Sequence, residues 1–489
     1  MRIVKFHIIT LLLGILYACG EPRDVTANDS LPPIYPDYTQ ITIPCNIAPL
    51  NFMVLHNPQQ VLAVLTGEGK TVRIRGGQNI RFSGKKWDQL VNSCIGNEHI
   101  SVQLYVKKDG VWTCYKPFLW TVTEDRIDPY LSYRLIEPGY EVWNKLQLCE
   151  RHLESFKVRI LADNALTENS CMNCHTYGNQ DPGTSFFHLR GPGGGTILNR
   201  NGKLRKIETK TEGSISAGVY GNFHPSGRYG VFSTNIIIPE FHAFRGERLE
   251  VYDTESDLIV VDFDHNTSMP FPPTEKKELR TFPVFSADGN TVYYCRAPYM
   301  SALPDSVRYL RYDLMSISFN PHTGMWGDTS TIDTVFSASR HKLSVCHPKT
   351  SPDGRYLLFT VAEYGTFPIW HRETDLYLLN LETGSVDALN NVNSALSDTY
   401  HSWSSNSRWF VFASKRDDGM YGKPYFCHID ENGLTSKPFV LPQKDPSAYF
   451  TTFKSFNIPE LSKGEVPFNA LDIEKIYRSM DKETLDPVK

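Results

Sequence analysis

Short runs of alternating apolar and polar residues fill the chain from about residue 38 onward. The run at 100–106 (ISVQLYV) leads through Lys107-Lys108-Asp109-Gly110 into a second run at 111–115 (VWTCY). A period of two predicts strands with one buried face, and Asp-Gly predicts the tight turn of a hairpin. We therefore expect an antiparallel β-sandwich-like domain over residues 38–135.

The pattern changes in the next stretch of the chain. Residues 142–160 carry apolar side chains near helical spacing, for example at Trp143, Leu146 and Leu153. This spacing predicts one helix or two short ones. We place a helical linker over residues 136–180.

After residue 180 the chain repeats one unit, in which a small turn residue precedes a strand rich in apolar and aromatic side chains. The four turn residues are Gly227, Gly289, Gly354 and Ser407. A sheet built from such a unit cannot bury both faces alone, so several sheets must stack around an axis. The repeat therefore predicts a β-propeller.

One copy of the repeat, Ser351-Pro352-Asp353-Gly354-Arg355-Tyr356, resembles the WD40-like repeat of TolB-type propellers. The resemblance implies a propeller of five to seven blades over residues 181–460, followed by a C-terminal tail over 461–489. The fold class is thus mainly β. Since propellers host binding, scaffolding and catalysis alike, the resemblance implies no particular activity.

The first residues have the pattern of an export signal. Arg2 and Lys5 precede an apolar run that is too short to span a membrane. Leu16-Tyr17-Ala18-Cys19 then resembles the lipobox of bacterial lipoproteins. The resemblance implies a signal peptide over residues 1–18 and a lipid on Cys19; an ordinary signal peptide with an incidental cysteine is the alternative.

Residues 19–37 are polar and rich in proline, which favours a tether between the lipid and the first domain. Gly20 follows the cysteine, where Asp would resemble an inner-membrane retention signal. The expected location is therefore the bacterial cell envelope, anchored through Cys19 at the outer membrane.

Composition excludes some classes of function. The formal net charge is −4, from 50 basic and 54 acidic residues, and no basic run suits a nucleic-acid partner. No GxSxG, HExxH or paired-carboxylate signature is present. The sequence therefore assigns no hydrolase or transferase activity.

The pentapeptide Cys171-Met172-Asn173-Cys174-His175 carries the most specific chemistry in the chain. CxxCH is the spacing for covalent attachment of haem c, in which Cys171 and Cys174 bond the vinyl groups and His175 is an axial iron ligand. A redox dithiol, a disulfide and a zinc site remain alternatives.

His347 and His401 lie shortly before the turns of their repeats. In TolB-like propellers the strand before this turn is usually the innermost one, so the resemblance implies that both histidines face the central channel. There either could be a second metal ligand or a polar partner of the haem. The alternative is that they are buried histidines bonding between blades.

Two functional hypotheses follow. The whole chain resembles exported lipoproteins of anaerobic gut-type bacteria in which CxxCH precedes TolB-like repeats, which implies a haem protein of periplasmic redox or electron transfer. The chain departs from the pattern of an electron carrier, because it has no compact three-helix cytochrome c domain with a downstream Met ligand. The second hypothesis is a non-haem binding or scaffolding propeller, with CxxCH as a disulfide or zinc site and a protein partner on the propeller face.

Overall fold

The computed structural model describes residues 21–96, 98–138, 145–242 and 249–488. The predicted signal peptide and Cys19 lie outside the described residues. Strands make up 49% of the structure and helices 8%, so the predicted mainly β fold class is confirmed. None of the helices described is long and apolar enough to cross a membrane.

The chain divides into two units. The first comprises the residues up to 45 together with 49–124 and 442–451. The second comprises 46–48, 125–441 and 452–489.

The first unit is built from short strands and two helices. Its strands are β1 (Val25–Asn28), β2 (Ile34–Tyr35), β3 (Ile41–Pro44), β4 (Phe52–Val54), β5 (Gln60–Gly67), β6 (Lys70–Gly76), β7 (Asn79–Ile80), β8 (Glu98–Lys108), β9 (Val111–Tyr115) and β10 (Phe118–Thr123). Its helices are α1 (Gly84–Asn92) and α2 (Ala448–Thr451).

Seven of these strands form one sheet, in the order β1-β9-β8-β10-β3 with β5 and β6 attached to β8. The strands β2, β4 and β7 form a second sheet. Asp109 and Gly110 both have positive φ, as the two central residues of a type I′ turn require, and β8 pairs antiparallel with β9. The predicted hairpin is therefore confirmed.

Aromatic side chains form the core of the first unit. Trp87 of α1 lies with its ring centroid 5.8 Å from that of Trp120 of β10 and 5.3 Å from that of Phe82. Trp120 is fully buried and donates from its indole nitrogen to the carbonyl oxygen of Tyr38 at 2.6 Å. Burial of such large rings stabilises the unit, each by about 1.5–3 kcal/mol.

The second unit contains six sheets among its described residues, which we call blades 1 to 6. The strands of blades 1 to 3 are β11 (Tyr130–Ile136), β12 (Leu146–His152), β13 (Val158–Asp163), β14 (Met172–Gly178), β15 (Asp181–Leu189), β16 (Gly195–Arg200), β17 (Lys203–Glu208), β18 (Gly218–Phe223), β19 (Tyr229–His242), β20 (Leu249–Asp262) and β21 (Thr267–Pro270). Blade 1 consists of β11 to β13 and a later strand, blade 2 of β14 to β17 and blade 3 of β18 to β21.

Blades 4 to 6 follow in chain order. Their strands are β22 (Glu278–Phe285), β23 (Thr291–Pro298), β24 (Asp313–Asn320), β25 (Met325–Trp326), β26 (Asp333–Phe336), β27 (Ser344–Thr350), β28 (Tyr356–Ala362), β29 (Asp375–Asn380), β30 (Val386–Ala388), β31 (Asp398–Trp403), β32 (Trp409–Ser414), β33 (Lys423–His428) and β34 (Phe439–Val440). Blade 4 comprises β22 to β26, blade 5 β27 to β30 and blade 6 β31 to β34.

The last elements are β35 (Ser455–Ser462), helix α3 (Ala470–Arg478), β36 (Glu483–Thr484) and β37 (Asp486–Pro487). Short 3-10 helices occupy Asn164–Leu166, Val307–Tyr309, Thr329–Thr331, Ala338–His341 and Pro368–Trp370.

The six blades form a closed ring. The innermost strands β14, β18, β22, β27, β31 and β35 each contact the next, and β35 contacts β14 again. The ring closes because β35, from near the C-terminus, pairs antiparallel with β11. The second unit is therefore a six-bladed β-propeller, within the predicted range of five to seven.

Apolar side chains fill the space between neighbouring blades. Between blades 3 and 4, for example, Val231 and Val260 share one cluster with Val292 and Ile317. Each of these four residues is at most 2% exposed. The strands β28 and β32 are buried along their whole length and so on both faces, which explains their continuous apolar runs.

Two predicted boundaries differ from the structure. The helical linker predicted over 136–180 is wrong for its described residues, because β12, β13 and β14 occupy it. Leu146 and Leu148 lie two residues apart, which is strand spacing, but the buried run 148–151 hides the alternation that would have marked β12 as a strand. The predicted sandwich-like domain likewise ends earlier than residue 135, since β11 belongs to blade 1.

Residues 461–489 are not a separate tail. Helix α3 starts with a capping box between Asn469 and Asp472. After it, β36 adds a parallel strand to β17 and β37 adds one to β21. The C-terminal residues therefore add one strand to blade 2 and one to blade 3.

Candidate ligand site in the central channel

Each innermost strand contains one residue in the left-handed region of φ. These residues are Cys174 (φ 59°), Tyr220 (50°), Phe282 (50°), His347 (51°), Tyr400 (46°) and Ile458 (49°). At each of them the register with the adjacent strand shifts by one residue, which defines a β-bulge. Bulges re-aim side chains and are common beside functional sites. Six equivalent bulges therefore surround the axis of the propeller.

A cavity of about 60 Å³ lies at the level of these bulges, and we call it the chamber. Its walls include Cys174, His175, Tyr220, His347, Tyr400 and His401. A second cavity of about 100 Å³, the mouth, shares Thr176, Asn222, Lys349 and Glu460 with it and reaches the Ser351-Pro352 turn. The mouth thus lies at the face of the propeller that carries the repeated turns.

His175 is buried, with 5% of its surface exposed. Burial, with a smaller contribution from the positive charge of Arg134, lowers the pKa of its imidazole to about 3, and a hydrogen bond to the main chain of Ser132 opposes this shift. Such a bond raises the pKa when the ring donates to the carbonyl oxygen. The ring is therefore neutral, and its buried Nε2, which has no hydrogen-bond partner among the described residues, offers a lone pair.

His401 repeats this arrangement from blade 6. Its Nε2 donates to the carbonyl oxygen of Leu358 at 2.8 Å, and its Nδ1 is buried without a partner in the part of the chain that the structure describes. Burial lowers the pKa of this imidazole to about 3. His401 therefore presents a second unprotonated nitrogen.

His347 lies between two aromatic rings. Its ring centroid is 4.1 Å from that of Phe282 and 4.6 Å from that of Tyr400. Burial holds the pKa of its imidazole well below the usual range, and the neighbouring His401 and Lys349 act in the same direction. Its Nδ1 has no partner within the described residues. His347 is therefore a packed, neutral side chain of the chamber wall.

A buried ion pair stands between the chamber and the mouth. The Nζ of Lys349 is 3.1 Å from Oε1 of Glu460 and donates to Oδ1 of Asn222 at 2.9 Å. Burial raises the pKa of Glu460, and the ammonium of Lys349 opposes that shift. This pair places a fixed donor and a fixed acceptor on the route into the chamber.

The two cysteines of the CxxCH motif lie in different surroundings. Cys174 is buried at its bulge and lines the chamber, and burial raises the pKa of its thiol to about 11. Cys171 precedes β14 and packs against the apolar cluster that contains Leu189 and Tyr477. Both thiols are free, so the structure contains no disulfide at this motif.

The chamber residues do not form a bare-metal site. Among the described residues, no group of three or more His, Cys, Asp or Glu side chains could hold a metal ion. His175, His347 and His401, predicted as metal ligands, do line one cavity but do not form such a group. The zinc alternative for the motif is therefore not supported by this arrangement.

A covalently attached haem does not fit these residues either. His175, His347 and His401 each have a buried imidazole nitrogen without a partner among the described residues, so the supply of an axial ligand is not what argues against haem. Cys171 and Cys174 are held apart in an interblade cluster and in the chamber, and a chamber of about 60 Å³ is far below the roughly 300–1,000 Å³ of cofactor pockets. Met172 to His175 form the start of β14, with the bulge at Cys174, and covalent haem attachment stays a prediction.

Of the six bulge residues, Cys174 and His347 were predicted as site residues, but the bulges were not predicted, although the sequence contains a signal for four of them. Positions 220, 282, 347 and 400 each lie seven residues before the turn residues 227, 289, 354 and 407. Aligning the repeats on their turns would have brought these positions together. Ile458 follows no such turn and gives no comparable signal.

Comparisons with known proteins do not indicate an activity for this chain. No protein-family model matches the chain, and no curated protein matches it. Among solved structures it is similar to an oligogalacturonate lyase in complex with manganese, at 12% identity and a TM-score of 0.36, over 64% of this chain and 73% of that one. It is also similar to a DUF4784 family protein from Bacteroides caccae, at 7% identity and a TM-score of 0.31, over 74% of this chain and 95% of that one.

A prolyl endopeptidase is similar to the chain at 14% identity and a TM-score of 0.35. The match covers 56% of this chain and 36% of the endopeptidase, so the chain spans about a third of that protein.

Proposed function

We propose that this protein is a cell-envelope binding protein whose propeller takes the hydroxyl-bearing end of a small ligand into the chamber. The observation that carries the proposal is that His175 and His401 line one cavity, and that His175 Nε2 and His401 Nδ1 have no hydrogen-bond partner among the described residues. This corresponds to the non-haem binding propeller among the two hypotheses.

Unpaired buried acceptors are costly, because each loses its bond to water. The loss amounts to about 1–3 kcal/mol for each group. A chamber of about 60 Å³ has room for roughly two water molecules, since a water occupies about 30 Å³. Two hydroxyl groups of a ligand can replace that water and donate to the two imidazole nitrogens.

The rest of the lining suits a neutral, polyhydroxylated ligand such as the end of a saccharide. The rings of Tyr220 and Tyr400 provide apolar surface for C–H groups, and burial raises the pKa of both phenols, so they stay uncharged. At the entrance, Lys349 can donate to a ligand oxygen and Glu460 can accept from a hydroxyl. We therefore favour a neutral saccharide over an ion.

Export and anchoring are part of the same proposal. The lipobox-like sequence before Cys19 supports attachment to the membrane through a lipid on that residue. The mouth would then face a compartment in which saccharides from outside the cell are available. A protein partner on the propeller face is compatible with this arrangement.

The experiment is saturation-transfer NMR with a panel of neutral disaccharides, repeated on two variants. His175→Phe removes one acceptor and fills the chamber, whereas His322→Phe changes an exposed histidine on blade 4. We expect saturation transfer to at least one disaccharide, its loss in His175→Phe and its retention in His322→Phe. Binding that survives His175→Phe, or no transfer to any disaccharide, overturns the proposal.

A further inference from the structure

A third cavity of the propeller, distinct from the chamber and the mouth, lies at the face opposite the mouth. It has a volume of about 290 Å³. Its walls come from the connection between β28 and β29, from the residues just before β31, and from the connection between β32 and β33. Because these connections join second to third strands, whereas the repeated turns join first to second strands, the cavity is separate from the chamber.

Lys415, which directly follows β32, lines this cavity together with two other charged residues, Arg372 and Asp418. Its Nζ donates to the carbonyl oxygen of Ile369 at 2.7 Å and lies 5.4 Å from the ring centroid of Trp370. No ion pair joins Lys415 to a carboxylate of the described residues. Burial lowers the pKa of its ammonium to about 8, and the charge of Asp418 opposes that shift.

The acidic residues of the same connection are engaged elsewhere. Lys423 binds Asp417 at 2.9 Å and Asp418 at 3.3 Å. Asp418 also accepts from the main-chain nitrogens of Met420 and Tyr421, both at 2.8 Å. Asp418 also lines the cavity, but these bonds engage its carboxylate, and Lys415 has no ion pair with a carboxylate of the described residues.

Largely buried ammonium groups are normally paired with an anion. A ligand carboxylate would supply that anion through a charge-assisted hydrogen bond, which is about twice as strong as a neutral one. The indole of Trp370 offers a flat apolar wall beside Lys415, and the exposed Arg372 adds a second cation to the lining. The arrangement thus combines one buried positive charge with an aromatic surface.

We propose that this cavity binds a small organic carboxylate, whose carboxylate group pairs with Lys415 and whose planar or ring-shaped body lies along Trp370. This site is independent of the chamber and does not rest on the function proposed for it.

The test is isothermal titration calorimetry of the full chain with benzoate and with benzyl alcohol, its uncharged analogue. We expect saturable benzoate binding that benzyl alcohol does not reproduce. In Lys415→Met the affinity for benzoate should fall about 10-fold or more, which corresponds to loss of about 1.4 kcal/mol. Lys415→Arg should retain part of the affinity, because it retains the charge.

Lys342→Met, an exposed lysine on the 3-10 turn before β27, is the matched control and should leave benzoate binding unchanged. Thermal unfolding of each variant confirms that it is folded. Equal binding of benzoate and benzyl alcohol, unaltered benzoate binding in folded Lys415→Met, or no saturable binding of benzoate to the native chain each overturns the proposal.

Discussion

The imidazole of His401 donates a hydrogen bond of 2.8 Å to the carbonyl oxygen of Leu358. His401 lies on β31 and Leu358 on β28, so the bond joins blade 6 to blade 5. It also fixes the proton on Nε2 and leaves a lone pair on Nδ1, which has no partner among the described residues. One contact therefore contributes both to the packing between blades and to the proposed ligand site.

Replacing His401 should destabilise the propeller. In His401→Ala the carbonyl oxygen of Leu358 loses its donor inside the protein, which costs roughly 1–3 kcal/mol. His401→Gln keeps an N–H donor and should cost less. The free energy of unfolding in urea measures both, with His322→Ala as an exposed control that should change by less than about 0.5 kcal/mol. Equal stability of His401→Ala and the control would contradict this role.

Stability should fall as the pH drops below about 6.5. His175 and His401 have pKa values of about 3 in the folded protein, below the ordinary value, so the unfolded chain binds protons that the folded chain does not. Unfolding therefore becomes easier between pH 6.5 and pH 3, by about 1.4 kcal/mol per pH unit for each histidine.

Urea midpoints measured from pH 7.5 to pH 4.5 test this dependence. The double variant His175→Gln/His401→Gln lacks both titrating groups and should show a shallower dependence than the native chain. The same slope in both proteins would show that other groups dominate the acid sensitivity.

The repeat made the architecture predictable. Turn residues such as Gly354 recur before apolar strands, and only stacked sheets can bury such strands on both faces. Closure of the ring was not predictable in the same way, because β35 pairs with β11 from more than 300 positions away in the chain. No local sequence feature of either strand identifies the strand with which it pairs.

The candidate site was predictable only in part. His347 and His401 do reach the central channel, as the resemblance implied. The roles of Lys349 and Glu460 depend on two strands that meet only after the ring has closed. The CxxCH spacing predicted haem because a sequence motif does not specify the backbone conformation. In the structure the motif leads into a strand with a bulge at Cys174, and its two thiols lie in different surroundings.

The contributions of Lys349 and Glu460, the ion pair at the channel entrance, to the free energy of unfolding should depend on each other. Lys349→Met leaves the carboxylate of Glu460 buried and unpaired, which should cost roughly 2 kcal/mol. Adding Glu460→Gln removes that unpaired charge and should recover part of the loss. A double-mutant cycle in urea measures the coupling, and strictly additive effects of the two substitutions would rule it out.

Two turn glycines should respond differently to alanine. Gly289 and Gly354 both have positive φ, 77° and 74°, so either substitution strains the backbone by about 1 kcal/mol. At Gly289 the added Cβ would also lie 2.0 Å from Nε2 of His224, whereas at Gly354 its nearest neighbour is the Cβ of Ala287 at 3.4 Å. Gly289→Ala should therefore lower the melting temperature more than Gly354→Ala, and the reverse order would contradict the packing at His224.

The thiols of the CxxCH motif should stay free even when haem attachment is possible. Produced together with a cytochrome c maturation system, the protein should show no Soret band, and its intact mass should lack haem. In the native fold iodoacetamide should modify the half-buried Cys171 faster than Cys174, whose burial raises the pKa of its thiol to about 11. The Cys171→Ser variant shows which modification signal belongs to Cys171. The denatured protein, in which both thiols should be modified completely, is the reference. A Soret band that persists after denaturation, with haem on the peptide containing Cys171 and Cys174, would show instead that the channel opens to admit the cofactor.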